Sequence, residues 1–303
     1  MKNKKHFEKT VVTVGSFDGV HCGHRILLRR VADVAAAHHL RSVALTFWPH
    51  PQQTLDPAGE PPLLLHTLDE RISLLKQADV DDIVVFPFDK ALSQMPASDF
   101  IRKIIIGKLN AQYLVVGQDH HFGKGGCGNV QHLLDFVTHS DIQVEVVDLK
   151  ILDQKISSSS IRKALLCGNL ALANEMLGYE YKISGKVIAG NRLGRTIGFP
   201  TANIEIPVCK LLPKEGVYRV RVKTVNEEFN RLGMMYIGKR PVLKQDDTAV
   251  HVEVNIFDFD RQIYGQEIAL ALTHRIRDDI RFENVEQLSE QLHRDKQNII
   301  QIS

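Results

Sequence analysis

Two histidines three residues apart, His21 and His24, stand in the string Gly15-Ser16-Phe17-Asp18-Gly19-Val20-His21-Cys22-Gly23-His24. An apolar run, Val11 to Val14, precedes the string and a helix-period segment follows it, so it spans a strand-to-helix turn. Glycines there let the backbone come close to a ligand. A helix start adds free N–H groups and a positive dipole end, which favour phosphate. Imidazoles at the same point can donate hydrogen bonds to a triphosphate and steady charge on a leaving pyrophosphate. The expected chemistry is therefore phosphate transfer, with Gly15, Phe17, Asp18, Gly19 and Gly23 around the nucleotide and His21 and His24 acting on it.

Two later segments are expected at the same sheet edge. Val116-Gly117-Gln118-Asp119-His120-His121-Phe122-Gly123-Lys124-Gly125-Gly126 follows a strand. By itself it reads equally as a plain glycine loop, and its His pair also admits a metal. Ile156-Ser157-Ser158-Ser159-Ser160-Ile161-Arg162 opens a helix. A serine cap with a solvated Arg is one reading. A hydroxyl-rich helix start, Ser158 and Ser159, with the Arg162 fork on phosphate is the other.

A second constellation starts 166 residues after His24: Gly190-Asn191-Arg192-Leu193-Gly194-Arg195-Thr196-Ile197-Gly198-Phe199-Pro200-Thr201-Ala202-Asn203. Gly190, Gly194 and Gly198 with two basic residues ahead of a hydroxyl–amide pair suit nucleotide phosphates. On an extended chain Thr201 and Asn203 face one way, and hard oxygen ligands of that kind suit Mg²⁺ bridging phosphates. Glu253 lies mid-strand, an unfavourable place for Glu, opposite the face of Val250, Val252, Val254 and Ile256. A solvent-facing side chain is the plain alternative for it.

The elements that must hold these residues come in two styles. Up to about residue 180, apolar runs at Val11–Gly15, Val43–Phe47, Ile83–Phe86, Tyr113–Gly117 and Val144–Val147 alternate with helical periods at His24–Leu40, Leu68–Ala78, Ala97–Leu109 and Val130–Thr138. Such alternation predicts an α/β domain with a parallel, Rossmann-like sheet whose ligand sits beyond the carboxyl ends of the strands. After residue 180, period-2 runs such as Val217–Val225 and Val250–Ile256 predict a mainly-β domain, an antiparallel sheet or small barrel. A closing helix is expected at Val285–Ile300, with Leu288, Leu292 and Ile299 on its apolar stripe. The domains are thus expected at 1–180 and 181–303.

Composition narrows the class further. The 303 residues are 44% hydrophobic with a net charge of +2, which gives no electrostatic case for a nucleic-acid binder. The four cysteines, Cys22, Cys127, Cys167 and Cys209, form no Cys-x-x-Cys pair, so free thiols in a reducing compartment are expected. The apolar run behind the basic N-terminus is too short for a signal peptide, and no stretch is long enough for a membrane span. A cytoplasmic protein with no membrane partner is the expectation, and no pattern specifies self-association.

Gly-x-Phe-Asp-Gly-x-His-x-Gly-His together with Ile-Ser-Ser-x-x-Ile-Arg resembles the adenylyltransferase half of the prokaryotic bifunctional riboflavin kinase/FAD synthetases, a branch of the nucleotidyltransferases with a His-x-Gly-His motif. Thr46-Phe47-Trp48-Pro49-His50-Pro51 and Leu68-Asp69-Glu70-Arg71 stand where that family has similar runs. Gly198 through Asn203 is similar to the Pro-Thr-Ala-Asn signature of riboflavin kinases. Val252-Glu253-Val254, Phe257-Asp258-Phe259 and Tyr264-Gly265 resemble their catalytic stretch. The likeness runs from about residue 10 to 296 in the family's order.

The resemblance implies a small antiparallel kinase barrel in the second domain and two successive reactions, both using ATP. Riboflavin becomes FMN in the barrel, and FMN becomes FAD with release of pyrophosphate in the first domain. It implies Glu253 as the general base on the ribityl hydroxyl, Thr201 and Asn203 as holders of Mg²⁺ and ATP phosphates, and Gln118 and Asp119 as helpers of adenylyl transfer. Departures stand at Trp48, where an acidic residue is usual; at Gly126, in place of an Arg; at Tyr236 and Val242, in place of Asn and Thr near the flavin; and at Asn255, in place of a frequent His. They bear on affinity and rate. The alternatives are a chain keeping one of the two activities, a silent flavin-binding regulatory protein, and a nucleotidyltransferase whose barrel binds RNA.

Overall fold

The computed structural model describes residues 8–55, 62–138, 140–148, 156–190, 193–224, 229, 231–239 and 250–302. Contacts divide the chain into two compact units, Met1–Ser158 and Ser159–Ser303.

The first unit is built on a five-stranded sheet: β1 (Thr10–Val14), β2 (Arg41–Trp48), β3 (Asp82–Pro87), β4 (Ala111–Gly117) and β5 (Gln143–Val147), in spatial order β3-β2-β1-β4-β5. All four pairings are parallel. β1 is buried at every position and β2 nearly so, because both faces are covered. The Cys22–Ala37 helix buries Leu27, Leu28, Val31 and Val34 on the sheet. Val12, Val14, Val43, Leu45, Leu114 and Val116 pack with Phe100, Ile101, Ile104 and Ile105 in a single core. The expected Ala97–Leu109 helix runs as α from Ala97 to Phe100 and continues as a wider turn through Ile106, where the Gly107 and Leu109 amides reach back five residues, to Arg102 and Ile104.

Strand order matters for function. The chain steps from β1 to β2 and β3 on one side, then returns to place β4 and β5 on the other. Between β1 and β4 lies the point where the order reverses, which is where open α/β sheets bind ligands. The loops after β1 and β4 carry the His21–His24 and Gln118–Gly126 strings.

The second unit is a closed antiparallel barrel. Its strands are β6 (Tyr181–Ile188), β7 (Ala202–Glu205), β8 (Gly216–Lys223), β9 (Arg231–Gly238), β10 (His251–Ile256) and β11 (Glu267–Arg277), in the order β10-β7-β6-β11-β8-β9. Tyr218, Val220 and Val222 are buried while Arg221 is exposed, as period 2 predicts. The closing helix, Val285–Gln301, is tied to β11 by Asp295, which is 1% exposed and accepts from Arg277 Nε at 2.8 Å and Gln291 Nε2 at 2.9 Å. Of the expected stripe Ile299 is buried and Leu292 packs beside it, whereas Leu288 is only half-buried.

Two helices that the hydrophobic pattern left on the near side of residue 180 belong by contacts to the barrel's unit. Leu170–Leu177 packs on β6 and β11. Asn174 in it donates to Leu272 O at 3.0 Å and accepts from Tyr181 N at 2.8 Å. All four cysteines are free thiols. Among the described residues no helix is long and apolar enough to cross a membrane.

Candidate active sites

In the first unit, the turn after β1 is stitched to its surroundings. Gly15 N donates to Leu45 O at 3.0 Å, and the Thr46 hydroxyl donates to Ser16 O at 3.1 Å. Phe17 and Val20 are held at φ of 48° and 35°, a left-handed backbone that a β-branched residue adopts only when its surroundings impose it. Asp18 is fully buried, and its carboxylate accepts from Leu65 N and His66 N, both at 3.1 Å. Expected near phosphate, Asp18 thus spends two acceptor sites bracing the loop. Its carbonyl also takes the Ser158 hydroxyl at 2.7 Å. Phe17 is buried with its ring edge-on to His24, centroids 5.2 Å apart.

His21 caps the Cys22–Ala37 helix: its Nδ1 accepts from His24 N at 3.3 Å. That assigns its ring proton to Nε2, which is the ring's donor. The two imidazoles stack at 3.7 Å with 16° between planes. Burial lowers the His21 pKa to about 4 against the pull of Asp18. Burial, then His21 and the Arg71 guanidinium, hold His24 well below the usual histidine range. Both rings are therefore neutral donors near pH 7. His24 Nδ1 is buried without a hydrogen-bond partner.

The fixed cation at this edge was not singled out from sequence. Arg71 is fully buried, donates from Nη1 to Phe47 O at 3.3 Å and lies 5.8 Å over the Trp48 ring. Its helix, Leu68–Leu75, starts in a capping box between Thr67 and Glu70. The legible signal is a charge on an apolar stripe: Leu68, Arg71 and Leu75 share one face.

After β4, Gln118 and Asp119 are exposed, and His120 is half-buried, with its pKa lowered to about 4 by loss of solvent around the ring and then by His121. His120 stacks on Phe122 at 5.6 Å. No group of three His, Cys, Asp or Glu able to hold a metal occurs among the described residues. Ser159 and Arg162 fall in the second unit, on the Ser158–Leu166 helix.

In the barrel, β10 and β7 place Glu253 opposite Asn203, and β9 places Tyr236 on Glu253's other side. The Thr201 hydroxyl donates to Glu253 Oε2 at 3.1 Å. Asn203 is buried; a Cβ on Gly190 would stand 2.1 Å from its Nδ2, so any other residue there would displace the Asn203 amide. Asn191 and Arg192 lie outside the described residues, as does Val242. Thr201 also lines a cavity of about 410 Å³ together with Arg195, Val254, Ile256, Phe259, Arg261 and Tyr264. Apolar walls, two aromatic rings and two guanidinium groups suit a nucleotide. The Tyr236 hydroxyl donates to Lys239 O at 2.7 Å. Burial, and then Asp279, Glu215 and Glu253, push its pKa up, so the phenol stays protonated. Asn255 donates to Pro200 O at 2.7 Å.

Comparison with known proteins agrees in both halves. The family model described as FAD synthetase matches residues 3–160, and that described as riboflavin kinase matches 177–303. The bifunctional riboflavin kinase/FMN adenylyltransferase of Bacillus subtilis (strain 168) is 36% identical over 298 residues, 98% of this chain and 93% of the relative. The protein of that name from Listeria monocytogenes is 37% identical over 289 residues, 95% and 90% of the two chains. A crystal structure described as a macrolide-efflux protein from Streptococcus pneumoniae superimposes with a TM-score of 0.88 at 33% identity, over 100% of this chain and 98% of that one. Each half carries its own match in the order the relatives have, and the chain belongs to the bifunctional riboflavin kinase/FMN adenylyltransferase family.

Proposed function

We propose the following division of labour for a chain that makes FMN from riboflavin and FAD from FMN, both at the expense of ATP. Residues 181–303 form the kinase domain and residues 1–180 the adenylyltransferase domain. The observation that carries the reading is the Thr201–Glu253 contact beside the cavity, in a barrel that forms a compact unit apart from the His21–His24 turn.

In the barrel, Glu253 takes the proton of the ribityl 5′-hydroxyl as its oxygen attacks the γ-phosphorus, and ADP leaves. Gly190, Gly194 and Gly198 let the backbone pass close to the phosphates. Thr201 Oγ1 and Asn203, beside the Glu253 carboxylate, are hard oxygen donors of the kind that hold Mg²⁺ with few protein ligands and substrate phosphates. Bound there, the ion would supply charge neutralisation on the transferring phosphate.

In the first domain, an FMN phosphate oxygen attacks the α-phosphorus of ATP, forming the new P–O bond as pyrophosphate leaves. FMN already carries charge near pH 7, so the step needs alignment and charge neutralisation rather than a base. Gly15, Phe17, Asp18, Gly19 and Gly23 shape the turn, with Asp18 acting through its grip on residues 65 and 66. His21 and His24 donate to phosphate as neutral imidazoles. Ser158, Ser159 and Arg162 serve the same reaction, and Gln118 and Asp119 the adenylyl-transfer step. Four free thiols accord with a cytoplasmic location, and the near-neutral charge with small-molecule partners rather than nucleic acid.

A chromatographic time course with riboflavin, ATP and Mg²⁺ tests the reading. FMN rises first and FAD follows. Glu253→Gln stops FMN formation yet converts supplied FMN to FAD, and His24→Ala does the reverse. Full FMN formation by Glu253→Gln would remove Glu253 as the base.

A further inference from the structure

β10 is paired to β7 over three residues only: Val252 with Ile204, Glu253 with Asn203 and Val254 with Ala202. The next pair in register would be Asn255 with Thr201, and there the ladder ends. Pro200 has no N–H to continue it. At that point a side chain takes over. Asn255 is 6% exposed, and its Nδ2 donates to Pro200 O at 2.7 Å. Only the amide nitrogen of Asn can donate to a carbonyl, so the orientation of the amide follows.

The same short stretch is held from its other end. Phe199 N donates to Gly194 O at 2.7 Å, and the Phe199 ring stands edge-on to His293 of the closing helix, centroids 4.8 Å apart. Between these anchors lies the Pro200–Thr201 peptide, with the Thr201 hydroxyl 3.1 Å from Glu253. Two side chains of one strand, two residues apart, therefore fix the phosphate loop: Glu253 through the Thr201 hydroxyl, Asn255 through the peptide that carries it.

We infer that Asn255 is a positioning residue for phosphoryl transfer: its amide pins the Pro200–Thr201 peptide so that Thr201 stays against Glu253 at the cavity wall. The inference rests on the reading of Thr201 and Glu253 as kinase groups. A peptide freed at this place displaces the Thr201 oxygen while barrel pairing is untouched, and small misplacements in a phosphoryl-transfer site are costly in rate.

The test uses the full chain and reads both activities in each preparation. Asn255→Ala lowers kcat/KM for riboflavin phosphorylation by about tenfold or more, as loss of a buried hydrogen bond that orients the reacting groups should. FMN adenylylation stays within about twofold, since none of the residues assigned to it touches Asn255 or the Pro200–Thr201 peptide. Asn255→His, whose ring N–H can reach the same carbonyl, retains most of the kinase activity. Asn255→Asp sets a carboxylate against a carbonyl and loses more than Ala near pH 8; its activity relative to wild type recovers towards about pH 5 as the carboxyl protonates and can donate again. A purely structural role would not produce that pH-dependent ratio. Kinase kinetics of Asn255→Ala equal to wild type, or an Asn255→Asp deficit constant with pH, overturns the inference. If Glu253→Gln and Thr201→Ala also phosphorylate riboflavin normally, the kinase-site reading itself falls; if they are inactive while Asn255→Ala is normal, only the role of Asn255 falls.

Discussion

At the scale of single residues, the turn after β1 holds two neutral imidazoles, with the buried Arg71 guanidinium lowering the pKa of one of them, His24. His21 and His120 have pKa values lowered to about 4, and His24 lies well below the usual range, each chiefly through burial. The sign of the linkage follows. These rings are neutral in the folded unit, whereas in the unfolded chain they take up protons from about pH 6.5 downward. The unfolded state then binds more protons, so the stability they contribute is complete above about pH 6.5 and is lost as pH falls through about 4. The expected outcome is a melting temperature that drops steeply over that window and drops less steeply in His120→Gln. Equal slopes in the two proteins would show that the His120 ring is not held neutral. Acidification should also silence FMN adenylylation before riboflavin phosphorylation, because the described histidines with lowered values all lie in the first unit.

At the scale of elements, the glycine loop ahead of β7 makes a sharper test than its sequence alone allows. A Cβ on Gly194 would stand 2.1 Å from Phe199 O, a backbone atom of the segment that leads to Thr201. A Cβ on Gly198 would meet nothing within 4 Å, but its φ of 79° is one that L residues adopt at a cost. Gly198→Ala should therefore cost about 1 kcal/mol or somewhat more of barrel stability and keep measurable kinase activity. Gly194→Ala must push the Phe199 segment away and should abolish kinase activity while FMN adenylylation persists. Similar activity in the two variants would mean that the loop does not need the close approach. The contrast marks what was legible beforehand. Strands buried on both faces, such as β1 and β2, read plainly as apolar runs, and the alternation of Tyr218, Val220 and Val222 with basic residues gave a run at Val217–Val225 where β8 spans Gly216–Lys223, Val225 lying outside the described residues. Glu253, Thr201 and the His pair stood out by residue type and spacing. Asp18's grip on residues 65 and 66, Arg71 against the end of β2 and Asn255's hold on Pro200 join positions 24 to 55 apart in sequence. A single sequence carries local period and turn chemistry but no register between distant segments. The 101–106 turn was hidden for another reason: a wider helix keeps an apolar stripe close to that of an α-helix.

At the scale of the whole molecule, each unit has its own core and its own candidate phosphate site. The sheet core gathers around Val12, Leu45 and Leu114, and one barrel cluster around Val217, Met234 and Ile299. The residues proposed for the kinase step all lie in the barrel's unit, and the His21–His24 turn lies wholly in the other. On the proposed division neither reaction uses a side chain of the other, although Ser159 and Arg162 of the adenylyl step fall in the barrel's unit. FMN is a small, charged product of the first reaction and a substrate of the second, so two half-active proteins can share it through solution. Glu253→Gln makes no FMN but adenylylates it; His24→Ala makes FMN but stops there. Mixed in one vessel with riboflavin, ATP and Mg²⁺, the two variants should make FAD, after a lag that shortens as the concentration of His24→Ala rises, because free FMN must first accumulate. Each variant alone should make none from riboflavin. FMN accumulating in the mixture without FAD, while Glu253→Gln still converts added FMN, would mean that the kinase product stays bound to the chain that made it. The two sites would then be linked by more than a shared intermediate.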